Sequence, residues 1–596
     1  MASLSVSSGI WLKSCSSMSM SLSPESLSLS LDSLPPELRG VPIVHLDTAP
    51  HDPFVMREQQ EYGFYGLEHD GALRPGGQVA LVTRRTVGLL LNYTAIGALY
   101  GGINSLLVPF LSHYLQLEQY QVRGATAVVN TVWNFKAFGG LLTDSLRICG
   151  YRRKPYLVGG WLLCFASLLY LGASEMPPTR GPDAAWRYVL FITIATIGYF
   201  LANVAADAIV VEIAQREPLP TRGHTQVSIY IARMAGATIL NVLATATLNG
   251  EAYGGSFSWE LSVNDVLLVL AAWSVVPIVG SIWLLHEDPT AQTVPIFSFS
   301  DAVLCPDRPQ HHQTNMTPLD PPLDFGERCQ LIWRLIQSRA MWQLLMFELV
   351  ASFCWSFDSN AASAIEANWV DVDTWPKTIA LAAWSLAFIG GLLTTRRFFL
   401  RGAWGHLYCV ATIWVVGIDV VTVGCTVFRV VRTRSFWLYV QALAAPAASL
   451  RFLVQLFPIV ELAPRGIEGT TYGLVITFRN MAIPLGTTAY KAIDSYFSTS
   501  DEDLRLDSEF TRLQVIYTYL IAWIFQLFSL AFIGLLPRQK LEVQQLRYYG
   551  GYSASGGWLV VVVLFCVLTY VTTANVLSLF ESTSCLRMAG GTGCGS

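Results

Sequence analysis

Long apolar blocks separated by short polar loops dominate the pattern of residues along this chain. Each block has about 20 residues or more, the length that crosses a hydrocarbon layer of about 30 Å as an α-helix. Six blocks fall in the first half of the sequence, six in the second half and one near the carboxyl end. The pattern predicts membrane-spanning helices near residues 88–112, 124–143, 155–173, 188–211, 226–247, 265–285, 340–360, 377–395, 404–427, 436–460, 470–494, 513–536 and 558–580.

Several short motifs occur twice, in the same order and direction, about 250 residues apart. The segment 133–144 matches 384–395, with a tryptophan, two glycines, two leucines and a threonine in register. The motif at 212–216 matches 461–465 in the same way. Parallel repeats related by an axis along the membrane normal are an architecture of transporters. We therefore predict an all-α, multi-pass membrane protein with two six-helix bundles related by a pseudo-two-fold along the membrane normal, plus an extra carboxyl-terminal helix.

The same pattern divides the chain into five parts. Residues 1–80 are rich in Ser and contain no spanning block, so they are expected to form a disordered cytosolic tail. The two six-helix bundles are predicted at 81–285 and 339–537, and a Pro-containing cytosolic linker joins them at 286–338. Residues 538–596 are predicted to form an amphiphilic tail that carries the thirteenth helix.

Basic residues follow the even-numbered blocks, whereas the loops at the other end of the helices are acidic or neutral. The positive-inside rule therefore places the basic loops and the amino terminus in the cytosol. Arg429, Arg432 and Arg434 are an exception, because this topology places them among the acidic loops.

Composition supports a membrane protein and disfavours an enzyme. The chain is 53 % hydrophobic and 13 % charged, against about 25 % charged in an ordinary soluble domain. It contains no Gly-Lys pair, so it lacks the Walker loop that binds nucleotide phosphates. It also lacks His-Glu-x-x-His and Cys-x-x-Cys motifs. We expect no enzymatic activity, no cofactor and no metal.

A few charged residues lie inside the predicted spans. Each costs several kcal/mol unless it is paired or lines a wet cavity, so each is a functional candidate. Asp207 and Arg233 lie on consecutive antiparallel helices at similar depth, and we expect them to pair. A structural or gating role for this pair is favoured over direct contact with substrate.

The repeat leaves the second half with an arginine that lacks a matching acid. Arg479 corresponds to Arg233, but the position corresponding to Asp207 falls near Gln455 or Leu456, which cannot neutralise an arginine. An arginine that faces a central cavity suits an anionic substrate, because guanidinium grips a carboxylate with two parallel hydrogen bonds.

These considerations define two groups of candidates. Arg451 is a second arginine that could bind an anion in such a cavity. In the alternative interpretation Asp419 neutralises Arg451, and both residues are structural. The candidate substrate-binding residues are Arg451, Arg479, Lys136 and Glu348. The candidate proton-coupling or gating residues are Asp207, Arg233, Asp358 and Asp419.

The loop after the second block combines an acid with several cations. Gly140-Leu-Leu-Thr-Asp144 precedes Gly150-Tyr-Arg-Arg-Lys154, and this arrangement resembles the cytosolic loop signature of the major facilitator superfamily. The resemblance implies close helix approach at the glycine and a charge latch that holds the two bundles in one state. Thr395 replaces the acid in the second half, so the latch is expected to be asymmetric. The residues implied for the latch are Asp144, Arg152, Arg153 and Arg396.

Longer motifs resemble the folate–biopterin transporter family within that superfamily. They are 140–144, 150–156, 205–212 and 464–470, in a resemblance that runs from about residue 84 to residue 538. It implies a major-facilitator-type fold, alternating access to a central cavity, and uptake of folates, pterins or related organic anions coupled to protons. The chain departs from the family at Asn203, near which members often carry a second acid.

Three functions stay open at this point. The first is a proton-linked folate or pterin carrier, the second a carrier of the same fold for another solute such as an amino acid or a sugar, and the third a non-transporting membrane receptor. The expected partners are a small-molecule substrate, protons and the lipid bilayer, and no nucleic acid.

Overall fold

The computed structural model describes residues 71–74, 77–84, 86–175, 182–287, 325–584 and 586, and these ranges are helical with no sheet strands. The helices of the first half are α1 (Val87–Pro109), α2 (Gln119–Thr131), α3 (Lys136–Ser145), α4 (Lys154–Ala173), α5 (Pro182–Ala214), α6 (His224–Thr247) and α7 (Val263–Trp283). Those that follow are α8 (Phe325–Gln337), α9 (Arg339–Trp355), α10 (Ala361–Ile365), α11 (Thr374–Thr394), α12 (Trp404–Val427), α13 (Arg434–Val440), α14 (Ala445–Leu462), α15 (Glu468–Asp494), α16 (Asp501–Leu506), α17 (Glu509–Phe528), α18 (Lys540–Tyr549), α19 (Ala554–Leu577) and α20 (Glu581–Ser584).

Ten helical segments in the described part of the chain are long and apolar enough to span a membrane, and α19 is among them. The predicted second, seventh and eleventh spans are helical but fall outside this set. The second is divided between α2 and α3, α9 has only 17 residues, and α15 carries polar residues along its length. These three segments also carry buried or half-buried charged side chains, at Lys136, Glu348 and Arg479.

A 3₁₀ turn at Val132–Phe135 interrupts the second span. Such a turn within a longer helical run often marks a functional position. Here the turn is followed at once by Lys136, which is 3 % exposed, and it contains Trp133, which is 8 % exposed. The break therefore presents a cation and an aromatic ring to the protein interior.

The first half, α1–α7, meets the second half, α9–α17, mainly where α3 crosses α15 and where α6 packs on α11. The α3–α15 crossing brings the two backbones together. A Cβ atom at Gly140 would overlap the carbonyl of Gly469, and one at Gly473 would overlap the carbonyl of Lys136. Small residues permit this backbone approach between membrane helices.

The crossing yields a first prediction. Gly140→Leu should lower the melting temperature of the purified protein, because overpacking at such a site costs about 1–3 kcal/mol. Gly159→Leu is the matched control, since a Cβ atom there has no neighbour within 4 Å. Equal melting temperatures for the two variants, measured by tryptophan fluorescence, would contradict this account of the crossing.

The predicted amino-terminal tail and the predicted linker are described only in part, and the described end of the linker range is a helix. Residues 1–70 of the predicted tail and residues 288–324 of the predicted linker lie outside the described residues. The end of the linker range forms α8, which packs against α19. The ring of Trp333 on α8 meets that of Trp558 on α19, with centroids 5.2 Å apart.

The three arginines that the predicted topology places among the acidic loops each form ion pairs with aspartates of those loops. Arg429 and Arg432 each approach Asp507 at 2.6 Å, and Arg512 approaches it at 2.8 Å. Burial raises the pKa of Asp507, but hydrogen bonds from these three arginines outweigh it and hold the pKa well below its usual range. Arg434 pairs in turn with Asp371 and Asp373.

Candidate functional site

An ion pair between α3 and α5 lies in the interior of the first half. The Lys136 ammonium is 2.5 Å from Asp207 Oδ2, and both residues are almost fully buried. Tyr93 donates to Asp207 Oδ1 at 2.5 Å, and Lys136 donates to Asn203 Oδ1 at 2.8 Å. The amide at position 203 thus serves as a neutral ligand for the ammonium, in a site that already contains one carboxylate.

The prediction that Asp207 pairs with Arg233 is wrong. In the described part of the chain the ion pair of Asp207 is with Lys136. Arg233 lies instead over the rings of Tyr100 and Trp133, 6.0 and 5.7 Å from their centroids. Equal depth on neighbouring helices did not place the two charges on facing sides.

The second half carries polar groups that the protein does not satisfy. Glu348 and Gln455 share one hydrogen bond of 3.3 Å, but Glu348 Oε1 and Gln455 Oε1 have no partner among the described residues. Arg451 Nε and Arg479 Nη1 are buried without a hydrogen bond in the same sense. Buried polar groups are normally paired, so each unpaired group requires an explanation.

These side chains belong to one electrostatic cluster. Glu348 interacts with both Arg479 and Arg451, and the two arginines interact with each other. Arg451 lies on the face of Trp355 at 3.4 Å and donates to Tyr408 Oη at 3.3 Å. Arg479 lies 4.7 Å from the centroid of Phe452. We name Glu348, Arg451, Gln455 and Arg479 the second-half cluster.

The second-half cluster and the Lys136–Asp207 pair lie at comparable depth. Depth is counted at about 1.5 Å per residue from the helix ends at Arg339, Leu462, Glu468 and Ser145, which lie toward the basic loops. On this count Glu348, Arg451 and Arg479 are about 13–17 Å inside, and Lys136 is about 14 Å inside. Both groups are therefore near the middle of a hydrocarbon layer, which is where transporters of this architecture bind solutes.

Two tyrosines connect the halves at this level. Tyr230 of α6 and Tyr472 of α15 share a hydrogen bond of 2.5 Å between their hydroxyls. The Lys136 ammonium lies 5.2 Å from the centroid of the Tyr472 ring. A change in the charge of Lys136 or Asp207 would therefore act directly on a contact between the halves.

Asp419 and Asp358 lie elsewhere. Asp419 accepts a hydrogen bond of 2.7 Å from Trp523 Nε1, and in the described residues it forms no ion pair with Arg451. The alternative in which Asp419 neutralises Arg451 is thus wrong. Asp358, predicted within the seventh span, follows the end of α9 at Trp355 and is exposed.

The predicted latch residues Asp144, Arg152 and Arg153 meet in one group, in which Asp144 and Arg153 are buried and Arg152 is partly exposed. Asp144 is 2.6 Å from Arg153 Nη2 and 3.7 Å from Arg152 Nη2. Asp144 also accepts hydrogen bonds from the Thr470 amide at 2.6 Å and from the Thr470 hydroxyl at 2.7 Å. A carboxylate at a helix start is stabilised by the exposed amides and the helix dipole, so an acid of the first half caps α15 of the second.

Glu468 belongs to this group but was not among the candidate residues. It is 1 % exposed and lies 3.2 Å from Arg152, 3.3 Å from Arg153 and within ion-pair distance of Arg74. Burial alone would lower the pKa of Arg153, but Asp144, Glu212 and Glu468 outweigh it and raise that pKa above its usual range. The position of Glu468 in the 464–470 motif was the available sequence evidence.

A second ion pair joins the halves at the same end. Arg222 Nη1 contacts both oxygens of Glu461, at 2.8 and 2.7 Å, and both residues are 1 % exposed. Helix α18 covers this pair, since Gln544 donates to Glu461 Oε2 at 2.7 Å and Lys540 to the Leu219 carbonyl at 3.1 Å. Burial lowers the pKa of Lys540 to about 8, against the opposing effect of Glu461.

Arg396 stands apart from both groups. It is exposed and forms no ion pair in the described part of the structure. We call the end formed by loops 146–153, 215–223, 395–403 and 463–467 the basic end. At this end buried ion pairs hold the two halves together, and the first half supplies the acid that caps α15.

The helical architecture matches that of a solved sugar symporter. The crystal structure of a D-xylose–proton symporter superposes with a TM-score of 0.51 and 12 % identity, over 76 % of this chain and 99 % of that one. Identity this low establishes the fold alone. The relatives described next are named as transporters and not as enzymes.

The chain belongs to the BT1 family, whose model matches residues 102–547. A folate-biopterin transporter of Synechocystis sp. is 22 % identical over 74 % of this chain and 80 % of its own length. A probable folate-biopterin transporter 4 of Arabidopsis thaliana is 24 % identical over 30 % of this chain, and that match spans 33 % of the relative. The predicted resemblance to the folate–biopterin transporter family is therefore confirmed, and the protein is a membrane transporter.

Proposed function

We propose that this protein carries folate- or pterin-type organic anions across a membrane by alternating access, coupled to protons. The single observation that carries the proposal is the second-half cluster, where two arginines, a glutamate and a glutamine retain unpaired polar atoms at mid-membrane depth. Unsatisfied buried polar groups are costly, and a ligand that pairs with them recovers that cost.

The chemistry of the cluster suits a molecule with both a carboxylate and ring N–H donors. Arg479 offers a free Nη1 to a carboxylate, and Glu348 Oε1 can accept from an amine or a ring N–H. The rings of Trp355 and Phe452 already pack on the two guanidinium groups. Folates carry a pterin ring and a glutamate tail, and relatives bearing the name folate-biopterin transporter support this choice.

The proposed direction of access follows from the basic end. The buried ion pairs at this end close the route between the halves, so the proposed state faces the opposite, acidic end. With the basic loops in the cytosol, as the positive-inside rule predicts, this is the outward-facing state.

Arg479→Lys tests the anion site. The loss of the planar fork should weaken binding of a carboxylate by about 1.5–3 kcal/mol, which is roughly 10- to 100-fold in KM. Uptake of radiolabelled folate into reconstituted vesicles should show this change, whereas uptake of biopterin, which has no carboxylate, should change little.

Arg397→Lys is the matched control, because Arg397 is exposed outside the cluster. Equal losses for folate and biopterin in Arg479→Lys would contradict the carboxylate role. A wild-type protein that moves neither compound, yet exchanges an amino acid or a sugar, would remove the folate proposal while leaving the carrier intact. Binding without counterflow exchange would favour a receptor.

A further inference from the structure

The basic end also binds a short segment of the chain that precedes α1. The amides of Leu73 and Arg74 donate to the Gln215 carbonyl at 2.9 and 3.1 Å, and Ala72 is fully buried. Gly71 has φ +79°, and a Cβ atom there would lie 2.8 Å from the Leu219 side chain. Glycine therefore permits both the backbone conformation and the close approach of this segment.

The side chain of Arg74 connects the two halves. Arg74 Nε donates to Gln215 Oε1 of the first half at 2.6 Å, and its Nη2 forms an ion pair with Glu468 of the second half. Arg222, which pairs with Glu461 across the halves, also donates to the Gly71 carbonyl. The segment thus contacts both halves at once.

Gln215 and Glu468, which bind Arg74, also form contacts between the two halves at the basic end. Gln215 Nε2 donates to the carbonyls of Val460 and Ala463, both at 2.9 Å. Glu468 pairs with Arg152 and Arg153 of the first half. Separation of the halves at the basic end would part Gln215 from Glu468, so Arg74 could not bind both.

We propose that Gly71–Arg74 is a strap that locks the basic end closed and so restrains opening toward that side. A ligand that binds only one of two conformations shifts the population toward that conformation, and here the ligand is covalently attached. The strap rests on the proposed function to the extent that alternating access requires the halves to separate at this end.

Hydrogen–deuterium exchange of the full-length protein in lipid nanodiscs, without substrate, tests the strap. Arg74→Ala removes both side-chain contacts, and Ala72→Trp displaces the segment by bulk without a change of charge. Both variants should raise the exchange rate several-fold in peptides covering 215–223 and 463–474. Exchange in 501–512 at the opposite end should stay unchanged.

Arg84→Ala is the matched control, because Arg84 precedes the same helix but is exposed. Its exchange should equal that of the wild type. The strap proposal would be overturned if Arg74→Ala and Ala72→Trp kept wild-type exchange rates in the peptides covering 215–223 and 463–474. It would also be overturned if exchange became faster throughout the chain. Because this readout needs no substrate, failure of the folate proposal would leave the result interpretable.

Discussion

Glu468→Gln is expected to open the basic end. Glu468 is 1 % exposed and pairs with Arg74, Arg152 and Arg153. The variant removes the carboxylate that Arg74 contacts among the described residues and leaves Arg152 and Arg153 with the acids of the first half alone. Removal of one partner of a buried ion pair costs about 3–5 kcal/mol. Since 1.4 kcal/mol is about tenfold, a cost of this size would lower the ratio of closed to open molecules by 100-fold or more.

Distances between spin labels would show this change. Labels at Ile148 and Phe398 report on loops of the two halves at the basic end, and both positions are exposed. Glu468→Gln should add a population at longer distance and slow net uptake, whereas Glu502→Gln at the opposite end should do neither. A distance distribution identical to that of the wild type would mean that Glu468 does not hold the halves together.

The sequence allowed prediction of the parts of the site that short-range pattern determines. The repeat and the apolar blocks predicted the helical membrane fold, which the comparisons confirm. The spacing within 140–154 predicted that Asp144, Arg152 and Arg153 belong together, and they meet within 3.7 Å. An acid at a helix end and cations in the loop that follows are close in the chain, so their proximity can be predicted without knowing how the helix is rotated.

Contacts that depend on helix rotation were not predictable from the sequence. Asp207 and Arg233 were matched by depth, but the 3₁₀ turn before Lys136 turns that side chain toward Asp207 instead. Arg74 lies in a range predicted as tail, where no pattern marked its contact with Glu468. In the repeat, Gln455 lies near the position that corresponds to Asp207 of the first half. In the structure its amide donates a hydrogen bond to Glu348, so a carboxylate at position 455 would lie against a second carboxylate.

The two halves have different roles in the proposed transport cycle, proton coupling in the first half and anion binding in the second. The first half contains a complete ion pair, Lys136–Asp207, with its own tyrosine and amide ligands. The second half contains the unpaired cluster that we assign to the anion. Tyr472 of the second half contacts the first half twice, through the Lys136 ammonium and the Tyr230 hydroxyl. Protonation of the first-half pair could therefore reach the junction without a long chain of contacts.

Asp207→Asn is expected to abolish stimulation of uptake by a pH gradient. Asp207 is the titratable partner of a buried ammonium, and an amide at this position cannot take up or release a proton at neutral pH. Lys136 would then be a buried cation held by amides, so the variant should also be less stable by about 3–5 kcal/mol. Uptake should be compared with and without an imposed gradient.

A double-mutant cycle separates coupling from stability. Lys136→Gln combined with Asp207→Asn removes both charges, so the double variant should unfold at a higher temperature than either single variant. Counterflow exchange of substrate should recover with the stability, whereas the response to the gradient should stay absent. A double variant that regains the pH response would place the coupling carboxylate elsewhere. Glu348 would be the next residue to replace, because it is a fully buried carboxylate that interacts with Arg451 and Arg479.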